Sequence, residues 1–366
     1  MNAGPDDDVL AALRDPATLA TFGARRLTDL IARARGADVL GRIAARARRR
    51  GALADLPARL HDLLVATELA RDAHRRRLAF ETDRLARLLR GTTGIAVLLK
   101  GAAYAACGMP AAEGRAPGDI DVMVPRADVA AVEARLCDAG WEPAILAPHA
   151  QRYFRAWMHE VPPLRHRERG TLLDLHHAIL PPRGRVAIDP RQLLDASVAV
   201  PRLAPLAVLA PEDMTLHCIA HQFQDGEFRH TLRELVDLDD LVGQFGAVPG
   251  FWPRLVARTG QLGLGRPARY ALIQARDLLA TPVPAAALTA LAGASPPSPL
   301  DEIVRRAMRT ALRASGRSPH GAAERAGARL LVLRAHWLKL PPTLLLRHAL
   351  AKLTARITSA AGRRAS

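Results

Sequence analysis

Lysine is nearly missing from this chain. Only Lys100, Lys339 and Lys352 occur among its 52 basic residues, and the other 49 are arginine. Arginine rises here together with alanine, leucine and proline, as in proteins from GC-rich genomes, so the formal charge of +16 is a weak sign of nucleic-acid binding. Cysteine is scarce too. Cys107, Cys137 and Cys218 are odd in number and far apart, which excludes a disulfide framework and zinc-type spacing and fits a reducing compartment. Aromatic residues make up 4% of the chain against 49% hydrophobic residues, so its core must be aliphatic. No uncharged apolar run approaches the roughly 18 residues that a bilayer span requires. The start, "MNAGPDDDVLAAL", is acidic and lacks the basic flank and apolar core of a signal peptide. The reading is a cytoplasmic protein.

The charge is uneven. Residues 1–90 carry +6, 91–210 carry +1, 211–300 carry −2 and 301–366 carry +11. A basic tail fits an anionic partner such as phosphate, nucleic acid or acidic lipid, or simply a solvated helical face. The stripe Leu346, Leu350, Leu353 and Ile357, with Arg347, Lys352 and Arg356 beside it, suits either a membrane surface or packing on the protein body.

The chain divides by pattern into four regions. Residues 1–91 have apolar positions every three or four residues, the helical period, with Gly51 and Gly91 as stops. Residues 92–205 hold the strand candidates "GIAVLLKG", "DIDVMVP", "RYFRAWMHEV" and "GTLLDLHHAIL", with a helix at "ADVAAVEARLCDAGW" ending before Gly140. Residues 206–295 return to helix, and 296–366 form a basic helical tail beyond a proline-rich hinge within 281–300. The fold class is α+β: a small mixed sheet between two helical regions.

The chemistry concentrates in the sheet. Alternate residues of a strand share a face, so Asp119, Asp121 and Met123 point one way while Ile120, Val122 and Val124 cover a core. Two neighbouring carboxylates repel unless a cation lies between them, and a hard divalent ion with oxygen ligands, Mg²⁺, is the simplest reason for such a pair. In "TLLDLHHAI", Asp174 and His176 share a face in the same way. "LLKG" ends a strand in a glycine turn, where backbone N–H groups can approach a phosphate. Lys100 offers it a point charge and Arg115 a two-pronged grip. "AAEGRAPG" reads as a small, flexible loop that can fold over a ligand. In the later helices, His217 and His221 share a face, as do Arg233 and Asp237. The histidine pair lacks a third ligand at zinc spacing and reads as structural, and the Arg233–Asp237 pair is an ordinary helix ion pair on its spacing alone.

Taken together, "LLKGAA…GRAPGDIDVMV…LCDAGW…LLDLHHAI…AHQF…LRELVDLDDLV" resembles the bacterial family of uncharacterised nucleotidyltransferases, a branch of the DNA-polymerase-β-like superfamily, from about residue 20 to about residue 250. The resemblance implies that Gly101 is the hallmark glycine, Asp119 and Asp121 the metal pair and Asp174 the third carboxylate, which also serves as base. It implies that Lys100, Gly101, Ala102 and Arg115 bind the nucleotide, with His176 beside the site. Ala102 stands where Gly or Ser is usual, and the interval from Gly101 to Asp119 is longer than the superfamily norm. His221, Arg233 and Asp237 belong to the helical half that builds the acceptor or base pocket in similar proteins. The implied cofactor is a pair of Mg²⁺ ions, with Mn²⁺ as substitute; the implied partners are a nucleoside triphosphate, ATP foremost, and an acceptor. The implied reaction transfers a nucleoside monophosphate to a hydroxyl or similar group on a small molecule, peptide or protein. Competing readings are a toxin-like AMP transferase acting on RNA or protein, and a silent nucleotide binder docked by its basic tail. The absence of a template-binding module with interleaved aromatics argues against a polymerase.

Overall fold

The computed structural model describes residues 5–224, 231–315, 321–341 and 343–345. Four helices lead in: α1 (Pro5–Arg14), α2 (Ala24–Gly36), α3 (Leu40–Arg49) and α4 (Ala58–Leu89). Gly51 and Gly91 follow α3 and α4 with φ of +69° and +75°, the left-handed conformation that ends a helix at least cost with glycine.

The central region alternates strands and helices: β1 (Ala96–Leu98), α5 (Lys100–Ala106), β2 (Asp119–Met123), α6 (Val129–Asp138), β3 (Trp141–Pro143), α7 (Pro148–Trp157), β4 (Leu164–His166), β5 (Leu172–His176), α8 (Arg191–Asp195), β6 (Val198–Ala199) and β7 (Leu206–Val208). They make one mixed sheet in the order β3-β4-β5-β2-β1-β7-β6. β2 runs parallel to β5 and antiparallel to β1. Ile120, Val122 and Val124 are fully buried, as the alternation of β2 predicts.

Helices resume with α9 (Pro211–Gln224), α10 (Thr231–Phe245), α11 (Phe251–Gln261), α12 (Gly265–Leu279), α13 (Ala285–Ala294), α14 (Pro299–Arg313) and α15 (Ala322–Lys339). A continuous buried aliphatic cluster extends from Val9 in α1 through the sheet to Leu331 in α15. No helix among the described residues is long and apolar enough to cross a membrane.

Two elements differ from expectation. The aromatic stretch "RYFRAWMHEV" is not a strand over most of its length: it lies largely in α7, whose Pro148 sits in the first turn. Tyr153 and Trp157, four apart, meet edge to face with ring centres 6.0 Å apart, the contact a helical period creates. The proline-rich 281–300 segment contains α13, whose Ala287 and Leu291 are buried one helical turn apart. The prolines flank that helix, so the segment is a packed element and not an open hinge. The stripe at Leu346, Leu350, Leu353 and Ile357 lies outside the described residues.

Candidate active site

Strand β1 delivers the chain to the site. Leu99 N–H donates to Asp121 O at 2.9 Å, and Lys100 then turns with φ +46° into α5. A non-glycine residue in this conformation is costly unless its surroundings demand it. Here the turn brings the Lys100 ammonium to Asp121 Oδ1 at 2.9 Å.

Asp121 and Asp174 are partners in the parallel β2–β5 ladder, and Met123 pairs with His176. His176 Nε2 lies 3.0 Å from the same Oδ1 of Asp121. Burial alone would raise the Asp121 pKa, but Lys100 and His176 together hold it well below the usual carboxylate range. Asp174 receives only a smaller opposing effect from His176. Burial first, then the charges of Asp121 and Glu160, push it up to about 7. Burial opposes the charging of His176, yet the hydrogen bond with Asp121 and the charge of Glu160 raise its pKa on balance.

The loop before β2 is anchored, not loose. Ala111, Ala112 and Arg115 are buried. Arg42 of α3, itself 1% exposed, donates to Ala111 O at 2.6 Å and Glu113 O at 2.8 Å. Gly41 and Gly114 cross so closely that a Cβ on either would strike the backbone of the other. The ring nitrogen His74 Nε2 lies 2.6 Å from Pro117 O. Small residues here permit close backbone packing rather than motion.

Arg115 therefore occupies a fixed place. Its Nε donates to Asp237 Oδ2 of α10 at 3.0 Å, and its guanidinium lies over Gly101, where a Cβ would collide with Arg115 Nη1 and Pro117 Cγ. Burial disfavours the Arg115 charge, but the charges of Asp237, Tyr104, Asp121 and Glu234 together outweigh it and raise the pKa. Asp237 also faces Arg42 at 3.5 Å. Arg233 reaches Asp38 at 3.3 Å. Thus the helix-spaced Arg233 and Asp237 each bind across to another element, and Asp237 acts as counter-ion to Arg115 of the loop and Arg42 of α3. His221 Nδ1 lies 2.8 Å from Glu234 Oε1. His217 is buried, and burial, then Lys100, lowers its pKa well below the ordinary value.

A cavity of about 530 Å³ gathers these groups. Lys100, Arg115, Asp119, Asp121 and Asp174 line it, together with His221, Arg233 and Asp237 of the later helices. Gly101 and Ala102 lie buried beneath the Lys100 turn. Sequence reading did not find Glu160, Tyr104 or Lys339, which also line the cavity. Glu160 lies beyond α7 and bridges His176 in strand fashion, so its stretch was read correctly there without its carboxylate being singled out; the scarcity of lysine was a usable signal for Lys339.

The donor set fits a divalent cation. Asp121, Asp174 and His176 bring one ligand atom each within 4.8 Å of one another, and the elevated pKa of Asp174 marks a carboxylate short of positive charge. Asp119, at the head of β2, lies outside that group and lines the cavity mouth.

The small mixed sheet thus sets the paired aspartates beside the strand–glycine–helix turn at Lys100 and Gly101. The chain belongs to the family described as uncharacterised nucleotidyltransferase, whose model matches residues 24–280. No curated protein and no solved structure matches it.

Proposed function

We propose that the chain transfers a nucleoside monophosphate from a nucleoside triphosphate, ATP foremost, to a hydroxyl or similar acceptor on a small molecule, peptide or protein, with release of pyrophosphate. The convergence of Asp119, Asp121, Asp174, Lys100 and Arg115 on one cavity carries this reading. Lys100 and Arg115 neutralise charge that develops on the triphosphate. The cross-ties of Arg115 to Asp237 and of Lys100 to Asp121 fix both cations before substrate arrives, so little reorganisation accompanies reaction.

Asp119, Asp121 and Asp174 would hold divalent ions, Mg²⁺ with Mn²⁺ as substitute. Such ions supply a lowered acceptor pKa and a counter-charge for the leaving pyrophosphate. Asp174, poised near neutrality, accepts the acceptor proton. His176 keeps Asp121 oriented through its Nε2 contact. His221, Arg233 and Glu234, which line the same cavity, form the acceptor side.

Incubation with α-labelled nucleoside triphosphates and candidate acceptors tests the reading. Metal-dependent pyrophosphate release that disappears in Asp121→Asn is expected; equal release by that variant rejects the assignment.

A further inference from the structure

A second cluster of ligand-type side chains lies beside the aspartates. His159, Glu160 and His176 bring one ligand atom each within 4.8 Å of one another. The sheet fixes them: Glu160 bridges His176 in antiparallel fashion, and His177 N–H donates to His159 O at 2.8 Å. The rings of His159 and His176 have centres 5.4 Å apart.

His176 is the telling residue. Its side chain is 3% exposed. Nε2 engages Asp121, while the buried Nδ1 has no hydrogen-bond partner and faces Glu160 Oε2 at 3.5 Å. With the ring proton on Nε2 and donated to Asp121, Nδ1 aims a lone pair at a carboxylate. That arrangement becomes favourable with a cation between the two, either a metal ion or the second proton of a charged ring. The separation is long for a hydrogen bond. It is close to the roughly 3.3 Å edge of a tetrahedron built on metal–ligand bonds of about 2.0–2.1 Å. An imidazole that ligates through one nitrogen while the other donates to a carboxylate is also how proteins orient metal-binding histidines.

We propose that His159, Glu160 and His176 Nδ1 bind a first-row transition-metal ion, Zn²⁺ by ligand type, at a site that adjoins the aspartate cluster and shares His176 with it. Two imidazoles and one carboxylate suit such an ion, whereas Mg²⁺ prefers oxygen ligands alone. His159 and Glu160 line the catalytic cavity, so a remaining coordination position takes water or an acceptor oxygen there. His176 links this site to Asp121.

Ion binding here is independent of nucleotide transfer and is read without nucleotide. The full-length protein, stripped with chelator and held in excess Mg²⁺, is titrated with Co²⁺. One equivalent producing visible ligand-field absorption, reversed by Zn²⁺, is expected. His159→Gln and Glu160→Gln should each weaken Co²⁺ binding by at least about tenfold, with Asp119→Asn close to wild type. Glu160 is only half-buried, so its variant decides the matter should His159→Gln fold poorly by circular dichroism. Absence of the absorption in wild type, or unchanged binding in Glu160→Gln, overturns the site; His176 then bridges Asp121 and Glu160 as a protonated ring.

Discussion

Asp121 and Asp174 face each other across the parallel ladder of β2 and β5, yet their environments split them. Lys100 and His176 keep Asp121 ionised. Asp174 is pushed to about 7 by burial and by the charge of Asp121 and Glu160. Two adjacent carboxyls with separated affinities for protons suit the proposed acid–base and ion-binding role. Replacement of either by Asn should therefore remove several kcal/mol of transition-state stabilisation, on the order of 10³-fold in kcat. Steady-state pyrophosphate release measures this, and a loss of less than tenfold in both variants contradicts the assignment.

The same split has a stability consequence. A carboxyl whose folded pKa lies above its ordinary 3.8 binds more protons in the native than in the unfolded state. Its contribution is fully present below about pH 4 and is lost as pH rises through about 7. In chelator, thermal stability of the wild type should fall across that window relative to Asp174→Asn, by at most about 1.4 kcal/mol per pH unit. Partial solvation of Asp174 reduces that figure. Added Mg²⁺ should stabilise the wild type more near pH 7 than near pH 5, because protons compete for the carboxylate. Parallel melting curves that do not separate with pH would count against a titrating Asp174.

Part of this centre was legible in the chain. The period-two pattern of Asp119–Val124 fixes which side of β2 carries the acids, and "TLLDLHHAI" carries Asp174 and His176 on one face for the same reason. What pairs with what was not legible. Arg115 and Asp237 are 122 positions apart, and Arg42 and Asp240 are 198 apart; local periodicity contains no trace of such partners. The i,i+4 spacing of Arg233 and Asp237 even suggested the wrong pairing, because tertiary counter-ions compete with a helix pair worth only a few tenths of a kcal/mol. The aromatic residues before Glu160 read as strand but pack as the helix α7, whereas Glu160, beyond the helix end, bridges His176 through a pairing that local periodicity does not reveal.

Gly101 is required by a side chain, not by a turn. Its missing Cβ makes room for the Arg115 guanidinium and for Pro117. Gly101→Ala should displace Arg115 from the cavity and raise the KM for nucleoside triphosphate by about tenfold, with a stability loss of about 1–3 kcal/mol from overpacking. Substrate-saturation curves and denaturant unfolding check both effects. Ala at this position with unchanged KM would mean that Arg115 does not contact the nucleotide.

Arg42 joins the N-terminal helices to the catalytic loop. It gives hydrogen bonds to three carbonyls of that loop, at Pro110, Ala111 and Glu113. Its Nη2 is also paired with Asp240 and faces Asp237. Loss of the guanidinium leaves those acids buried with less compensation, which typically costs about 3–5 kcal/mol. Arg42→Met should lower unfolding free energy by about that amount. Arg42→Lys should rescue little of it, since an ammonium cannot span both the carbonyls and the carboxylates as a planar fork does. Replacing Asp240 by Asn in the Arg42→Met background should recover part of that stability, because it removes the charge of an acid that has lost one of its partners and keeps Arg46 at 2.9 Å. Urea unfolding of the two single variants and the double variant separates these outcomes. Additive losses in the double variant would show that Arg42 holds the loop alone and does not serve as the acids' counter-ion.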